Sequence, residues 1–289
     1  MPNSITPAKN YTSLLDEVYK NASVTTDLKS PDNMSRAGAN ANEIIYPQIT
    51  VSGLGDYDRN SGYTTGAVDL KWKTAAFNYD RGTKITVDAM DNEESRNLAF
   101  GMAGAELMRE KVAPEADAFT FAQIASLENI SKTTGSIDTA AQLLDALLTA
   151  WNEMDEDEVP QENRMLYITP TLINSVMALD TTKSREILNQ FTVKKKVPQA
   201  RFYTAIDMMD GKSTGEEIGH YKKAADGADI NFMIIHKPAL IKFDKHVASN
   251  IIPASSNADA DADIIKYRKY GIVDGYANKR AGIYIHSKA

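Results

Sequence analysis

The chain has 289 residues, of which 43% are hydrophobic, 25% charged and 8% aromatic; this is the balance of ordinary folded domains, at a length for one large or about two ordinary domains with well-buried cores. It contains no cysteine, which excludes disulfides, thiolate nucleophiles and cysteine-ligated zinc and leaves packing to hold the fold. A net charge of −7 argues against strong general affinity for nucleic acid, which needs a basic surface, and the absence of an 18-residue apolar run or apolar signal core gives no membrane segment.

The first forty residues are small and polar, with one amphipathic stretch at Ser13–Lys20 in which Leu14, Leu15, Val18 and Tyr19 share a helical face. A helix this short does not persist in water unaided, so it needs a surface to dock on. The segment DLKSPDNMSRAGANAN that follows reads as an extended arm with little to bury. From Glu43 to Asp88 the period changes to that of strands, in EIIYPQITV, AVDLKWKTAAFNY and TKITVDA. In the second run Val68, Leu70 and Trp72 alternate with Asp69, Lys71 and Lys73, the pattern of a half-buried strand. Between the first two lies SGLGDYDRNSGYTTG, a loop with four glycines whose length is one usually kept for a functional or binding element.

The stretch FNYDRGTKITVDAMDNEES carries five carboxylates, Asp80, Asp88, Asp91, Glu93 and Glu94. Paired carboxylates serve glycoside hydrolysis and divalent metals, so a carboxylate-dependent hydrolase using Asp80, Asp88 or Asp91 is one reading. A scaffold reading is more economical. Asp80-Arg81-Gly82 has the composition of a turn between strands, Asp88 falls on the polar face of the strand Thr83–Ala89, Asp91 is placed to cap a helix, and Glu93 and Glu94 offset its dipole.

A long helix is predicted from Asn92 to Ile130, with Leu98, Met102, Ala105, Met108, Val112, Ala116, Phe119 and Gln123 at three- and four-residue spacing and a kink or break at Pro114. A second is predicted over Ser136–Met154 with Ser136 as N-cap, ending in a solvated acidic loop at Asp155–Glu158. Arg164–Ile168 reads as a strand, Thr169-Pro170 opens a helix that runs to Leu179, and a further helix falls near Ser184–Phe191. Strands are then predicted at Arg201–Ile206, Ile230–Phe243, Ile264–Lys269 and Lys279–His286.

Motifs with catalytic or metal-binding precedents are incomplete. Gly211-Lys212-Ser213-Thr214-Gly215 fits G-x-S-x-G, yet the polar sequence after it makes a surface hairpin tip the better reading. Asp259, Asp261 and Asp263 begin like a calcium loop, but Ile264 and Tyr270 stand where glycine and glutamate are needed. His220, His236, His246 and His286 lack ligand spacing. No catalytic residue, metal ligand or cofactor is assigned.

The parts in their order (EIIYPQITVSGLGDYDRNSGY, FNYDRGTKITVDAMDNEES, REKVAPEADAFTFAQIAS, ENRMLYITPTLINSVMAL and ADINFMIIHKPALIKF) resemble the tailed-bacteriophage major capsid proteins of the Hong Kong 97-type fold, over nearly the whole chain. The resemblance implies an α+β fold with an N-terminal arm at 1–41, an extended hairpin loop with flanking strands at 42–90, the spine helix of a peripheral domain at 91–133, an axial domain at 134–252, and returning strands of the peripheral domain at 253–289. It implies a non-enzymatic protein that assembles as pentamers and hexamers into an icosahedral head shell, made in the host cytoplasm and resident in the virion. That shell encloses double-stranded DNA with weak contact only, through a local basic patch such as Lys194, Lys195 and Lys196. Inter-subunit contacts are expected at Leu14, Leu15, Val18, Tyr19, Tyr57, Arg59, Lys71 and Trp72. So little precedes the arm that a removable scaffolding domain is not expected, and a separate scaffolding protein and a portal protein are the implied partners. Encapsulin-like nanocompartment shells share the fold and form the alternative.

Overall fold

The computed structural model describes residues 18, 22–30, 36–37, 43–94, 98–179 and 181–289. The chain divides into two compact units, one of residues 31–78 and one of the remainder.

The smaller unit is a three-stranded antiparallel sheet of β1 (Arg36–Ala37), β2 (Glu43–Val51) and β3 (Val68–Ala76), with β2 central. The β2–β3 pairing runs without interruption from Glu43 opposite Ala76 to Val51 opposite Val68. Among the described residues β1 reaches only Ile44 and Ile45 of β2, and none of them needs an amide from Pro47 on that edge.

The larger unit is built on two sheets. Its centre is a five-stranded sheet ordered β5 (Ser131–Thr134), β13 (Ile283–Ser287), β10 (Ile230–His236), β6 (Arg164–Ile168) and β7 (Val193–Lys196). Every residue of β10 is buried, because both faces of the sheet are covered. Phe232 and Ile234 point into one core with Leu143, Leu147 and Trp151 of a helix over Ala140–Glu156, whereas Met233 and Ile235 enter the other with Phe121 and Ile124. That is why Phe232–Ile235 is a continuous apolar run with no alternation. The second sheet is antiparallel and ordered β11 (Leu240–Ile252), β12 (Ala262–Gly275) and β4 (Tyr79–Asp88). A small ribbon of β8 (Ile206–Met208) and β9 (Tyr221–Lys223) carries the loop 209–220.

The helices are α1 (Ala89–Glu94), α2 (Leu98–Glu106), α3 (Ala113–Ala125), α4 (Ala140–Glu156), α5 (Pro170–Leu179) and α6 (Thr182–Asn189). A π-helical turn, Leu107–Val112, joins α2 to α3. At Pro114 the helical hydrogen bonding changes register rather than stopping: Ala113 donates to the Met108 carbonyl five residues back, and the widened turn relieves the clash that a proline ring makes in an α-helix. The helix ends at Ala125 rather than Ile130, and Asn129 sits at φ 56°. Met102 is exposed, not on the buried stripe.

Other expectations are corrected by hydrogen bonding. Asp88, not Asp91, caps α1, accepting from the Met90 amide at 2.9 Å. The N-cap of α4 is Thr139 rather than Ser136, in a capping box with Gln142, and the helix continues into the acidic run as far as Glu156. Asp80-Arg81-Gly82 is not a turn but lies inside β4, paired with Arg268, Lys269 and Tyr270. Gly82 is needed there, since a Cβ would meet the Tyr267 carbonyl oxygen at 2.8 Å. The predicted strand at Arg201–Ile206 is replaced by a 3-10 turn at Gln199–Arg201 and the short β8. Pro238 in a 3-10 turn splits the run Ile230–Phe243 into β10 and β11.

These pairings join segments that lie far apart in the chain. β11 pairs with β12, which in turn pairs with β4, while β13 lies inside the five-stranded sheet. Nor is the arm wholly without burial: Leu28 is fully buried in the core that contains Phe121 and Met233.

Candidate interaction surface

In the β2–β3 ribbon, residues directly opposite share a face. Pro47 faces Trp72, Ile49 faces Leu70 and Val51 faces Val68. The two alternations combine into one apolar stripe along the outer half of the hairpin. It is open to solvent: Trp72 is 52% exposed, Leu70 51%, Ile49 60%, Val51 66% and Val68 71%. The reverse face at the same level is polar, with Gln48 opposite Lys71 and Thr50 opposite Asp69, and Lys71 pairs with Asp69 at 2.6 Å. Lys71 and Trp72, both expected at contacts, thus lie on opposite faces.

The loop at the hairpin end is ordered by its own turn. Asp58 and Gly62 exchange both backbone hydrogen bonds, and the Asp58 carboxylate accepts from the amides of Asn60 and Ser61 at 2.6 and 3.0 Å. These bonds hold its carboxyl below the usual value. Gly62 closes the turn at φ 78°. The turn sets Tyr57 edge-on to Tyr63, ring centroids 4.8 Å apart, with Arg59 exposed at its crest. Leu54 and Tyr63 are among the most exposed apolar residues of the chain. Leaving so much apolar surface in one ribbon is unusual for a chain that acts alone, and it marks a surface meant to be covered.

Of the expected arm contacts, Val18 is half-buried and packs with Met108, Val112, Tyr267 and Ile251. Leu14, Leu15 and Tyr19 lie outside the described residues. Ile49, Val51 and Tyr63 were not among the expected contacts. The alternation Ile45, Pro47, Ile49, Val51 was the available signal for the β2 stripe.

The carboxylates of β4 and α1 do not converge. Asp80 forms a two-toothed pair with Arg268 at 2.9 and 2.7 Å, which lowers its pKa. Asp88 caps α1, and Asp91, Glu93 and Glu94 are exposed. Ser213 donates to Asp210, whose carboxylate also accepts from the Lys212 and Ser213 amides; these bonds lower the Asp210 pKa to about 2 and shape a surface loop tip. Asp263 is engaged by Asn92 and by the Ala254 amide. Among the described residues, no group of three or more His, Asp or Glu side chains is placed to hold a metal ion, and no helix is long and apolar enough to cross a membrane.

One cleft, of about 390 Å³, lies between β4, α3 and the loop 209–220. Glu115 sits in its wall, taking Arg81 Nε at 2.7 Å and the Tyr79 hydroxyl at 3.3 Å, with His220 Nδ1 at 3.6 Å. Burial alone would push the Glu115 carboxyl up, but the neighbouring His220 ring and the hydrogen-bonded Arg81 cation outweigh it and hold the group below its ordinary value. Arg81 also donates to the carbonyl of Met209, so the cluster fastens the neck of the loop 209–220 to α3.

No protein-family model matches the sequence, and no curated protein is significantly similar to it. Solved structures match along most of the chain. A chain of Mycobacterium phage Che8 aligns with a TM-score of 0.57 at 15% identity, covering 99% of this chain and 94% of that one. A chain from the mature capsid of bacteriophage PhiM1 gives 0.59 at 13% identity, covering 88% and 84%. A chain of the virus-like particle from Pyrococcus furiosus gives 0.59 at 11% identity, covering 98% and 100%. The fold is that of Hong Kong 97-type capsid subunits, an α+β architecture with a long hairpin and a long helix.

Proposed function

We propose that the protein is a major capsid protein, a structural and non-enzymatic subunit that assembles as pentamers and hexamers into the icosahedral head shell of a tailed bacteriophage. The observation that carries this reading is the exposed apolar stripe of the β2–β3 hairpin on a chain with the capsid fold. Covering five such side chains is worth on the order of 5–8 kcal/mol before ordering costs. A neighbouring copy is the natural cover, because head-to-tail contacts that close into rings bury the same surface on every subunit.

In this reading the hairpin lies on the adjacent subunit, and Trp72, Tyr57, Arg59 and Lys71 contribute to that contact along with Val18 and the other arm residues. The acidic chain encloses double-stranded DNA without holding it tightly. A scaffolding protein and a portal protein supplied separately complete the assembly in the host cytoplasm, and the mature location is the virion. Electron microscopy of the purified protein tests the proposal: icosahedral particles are the expected result, and a stable monomer under all assembly conditions would overturn it.

A nanocompartment shell is the second reading, favoured by the complete coverage of the Pyrococcus particle subunit. Packaged genomic DNA in native particles supports the phage head, and packaged protein cargo supports the compartment.

A further inference from the structure

Residues Ala22–Ser30 are bound to the larger unit through an unusually dense polar cluster. Asp117 of α3 is fully buried. Its carboxylate accepts from the Ser23 hydroxyl at 2.7 Å, the Val24 amide at 3.0 Å, and the Thr25 amide and hydroxyl at 3.2 and 2.6 Å. Arg201 reaches the same carboxylate at 3.2 Å and also donates to the Ala22 carbonyl. From the other side Lys242 of β11 donates to the Thr25 carbonyl at 2.9 Å and to its hydroxyl oxygen at 2.6 Å. The Thr25 hydroxyl is therefore an acceptor from the buried Lys242 amine and a donor to the buried Asp117 carboxylate. Ser30 ends the segment by exchanging hydrogen bonds with Lys242 and donating its hydroxyl to the Leu240 carbonyl.

We propose that Ala22–Ser30 is a clasp closed by the Lys242–Thr25–Asp117 relay, which opens as a unit and holds more tightly when Lys242 is uncharged. The segment supplies both donors for the buried Asp117 carboxylate and acceptors for the buried Lys242 amine, so its departure strips two buried polar groups of their partners at once, and water must enter to replace them. Nothing smaller than the whole segment relieves that cost. A hydrated opening also gives Lys242 room to take up a proton.

The charged groups facing Lys242 are Asp117 on α3, Asp244 beside it on β11, Lys269 on β12 and Asp27 on the clasp itself. Burial, with the help of Lys269, lowers its pKa to about 7, against the opposing pull of the three carboxylates. The sign follows from linkage. In the open state the ammonium is solvated and its pKa returns toward 10.5, so the open state binds more protons between about 7 and 10.5. Falling pH across that window favours opening, and below about 7 the dependence is flat.

The clasp belongs to a single subunit, so its test is independent of assembly. Hydrogen exchange of the unassembled full chain at pH 6, 7.5 and 9, corrected for intrinsic rates, reads the protection of the Val24, Thr25, Leu28 and Ser30 amides against those of β10. The expected result is protection that rises by up to about tenfold per pH unit above pH 7. Lys242→Met removes that rise, and Thr25→Val lowers clasp protection at least tenfold while β10 stays slow. Clasp protection that is indifferent to pH in the native chain, a pH-dependence that survives Lys242→Met, or Thr25→Val with native protection would each overturn the proposal.

Discussion

Trp72→Ala separates the energy of the folded subunit from the energy of assembly. With the residue 52% exposed, about 130 Å² of its surface is left for a neighbour, worth about 3 kcal/mol at ~25 cal/mol/Å². Its position in the stripe between Pro47 and Leu70 means that it loses little within its own ribbon. The variant is expected to raise the protein concentration needed for assembly by about 100-fold, since each 1.4 kcal/mol is a factor of ten. The melting of the unassembled subunit should shift by no more than about 1 kcal/mol. Light scattering against concentration measures the first quantity, and thermal melting followed by circular dichroism the second. Unchanged assembly, or a loss of subunit stability as large as the loss of assembly, would show that Trp72 is ordinary core and refute the reasoning.

Three further outcomes follow from the packing. Leu28→Ala should destabilise the subunit by about 2–5 kcal/mol, as in other large-to-small core changes, and chemical denaturation will show it; a neutral result would mean the arm segment is peripheral. Because Glu115 is held below its ordinary carboxylate value near 4.5, its pairing contributes stability that is present above that pH and lost as pH falls through the lowered value. Thermal melts between pH 6 and 3 should therefore show a shallower acid loss in Glu115→Gln than in the native chain. Gly82→Ala should cost about 1–3 kcal/mol, because its Cβ would press on the Tyr267 carbonyl and force β4 away from β12; denaturant melts check it.

Local chemistry was legible wherever a residue's role depends on its neighbours in sequence. The alternation of Val68, Leu70 and Trp72 gave β3, the turn composition of Gly211–Gly215 gave a surface tip, and Thr169-Pro170 gave the start of α5. The order of the parts was enough to reach the fold. Half of the interaction surface was visible too, since the stripe on β3 follows from a period of two residues.

What the tertiary structure decided depends on partners distant in sequence. Asp80, Arg81 and Gly82 have the composition of a turn, yet Arg268, Glu115 and the Tyr267 carbonyl hold them in a strand. In INFMIIH the apolar run guaranteed burial, but only the covering of both sheet faces divided its side chains between two cores. Thr25 meets Asp117 across 92 residues and Lys242 across 217. No local pattern encodes such a relay, because a buried charge is tolerable only once the fold has brought its partners to it. Sequence by itself determined most elements and the order of the parts; the limits of several elements and the long-range pairing of strands and charges were settled by the folded chain, where desolvation makes each polar group's partner a matter of geometry.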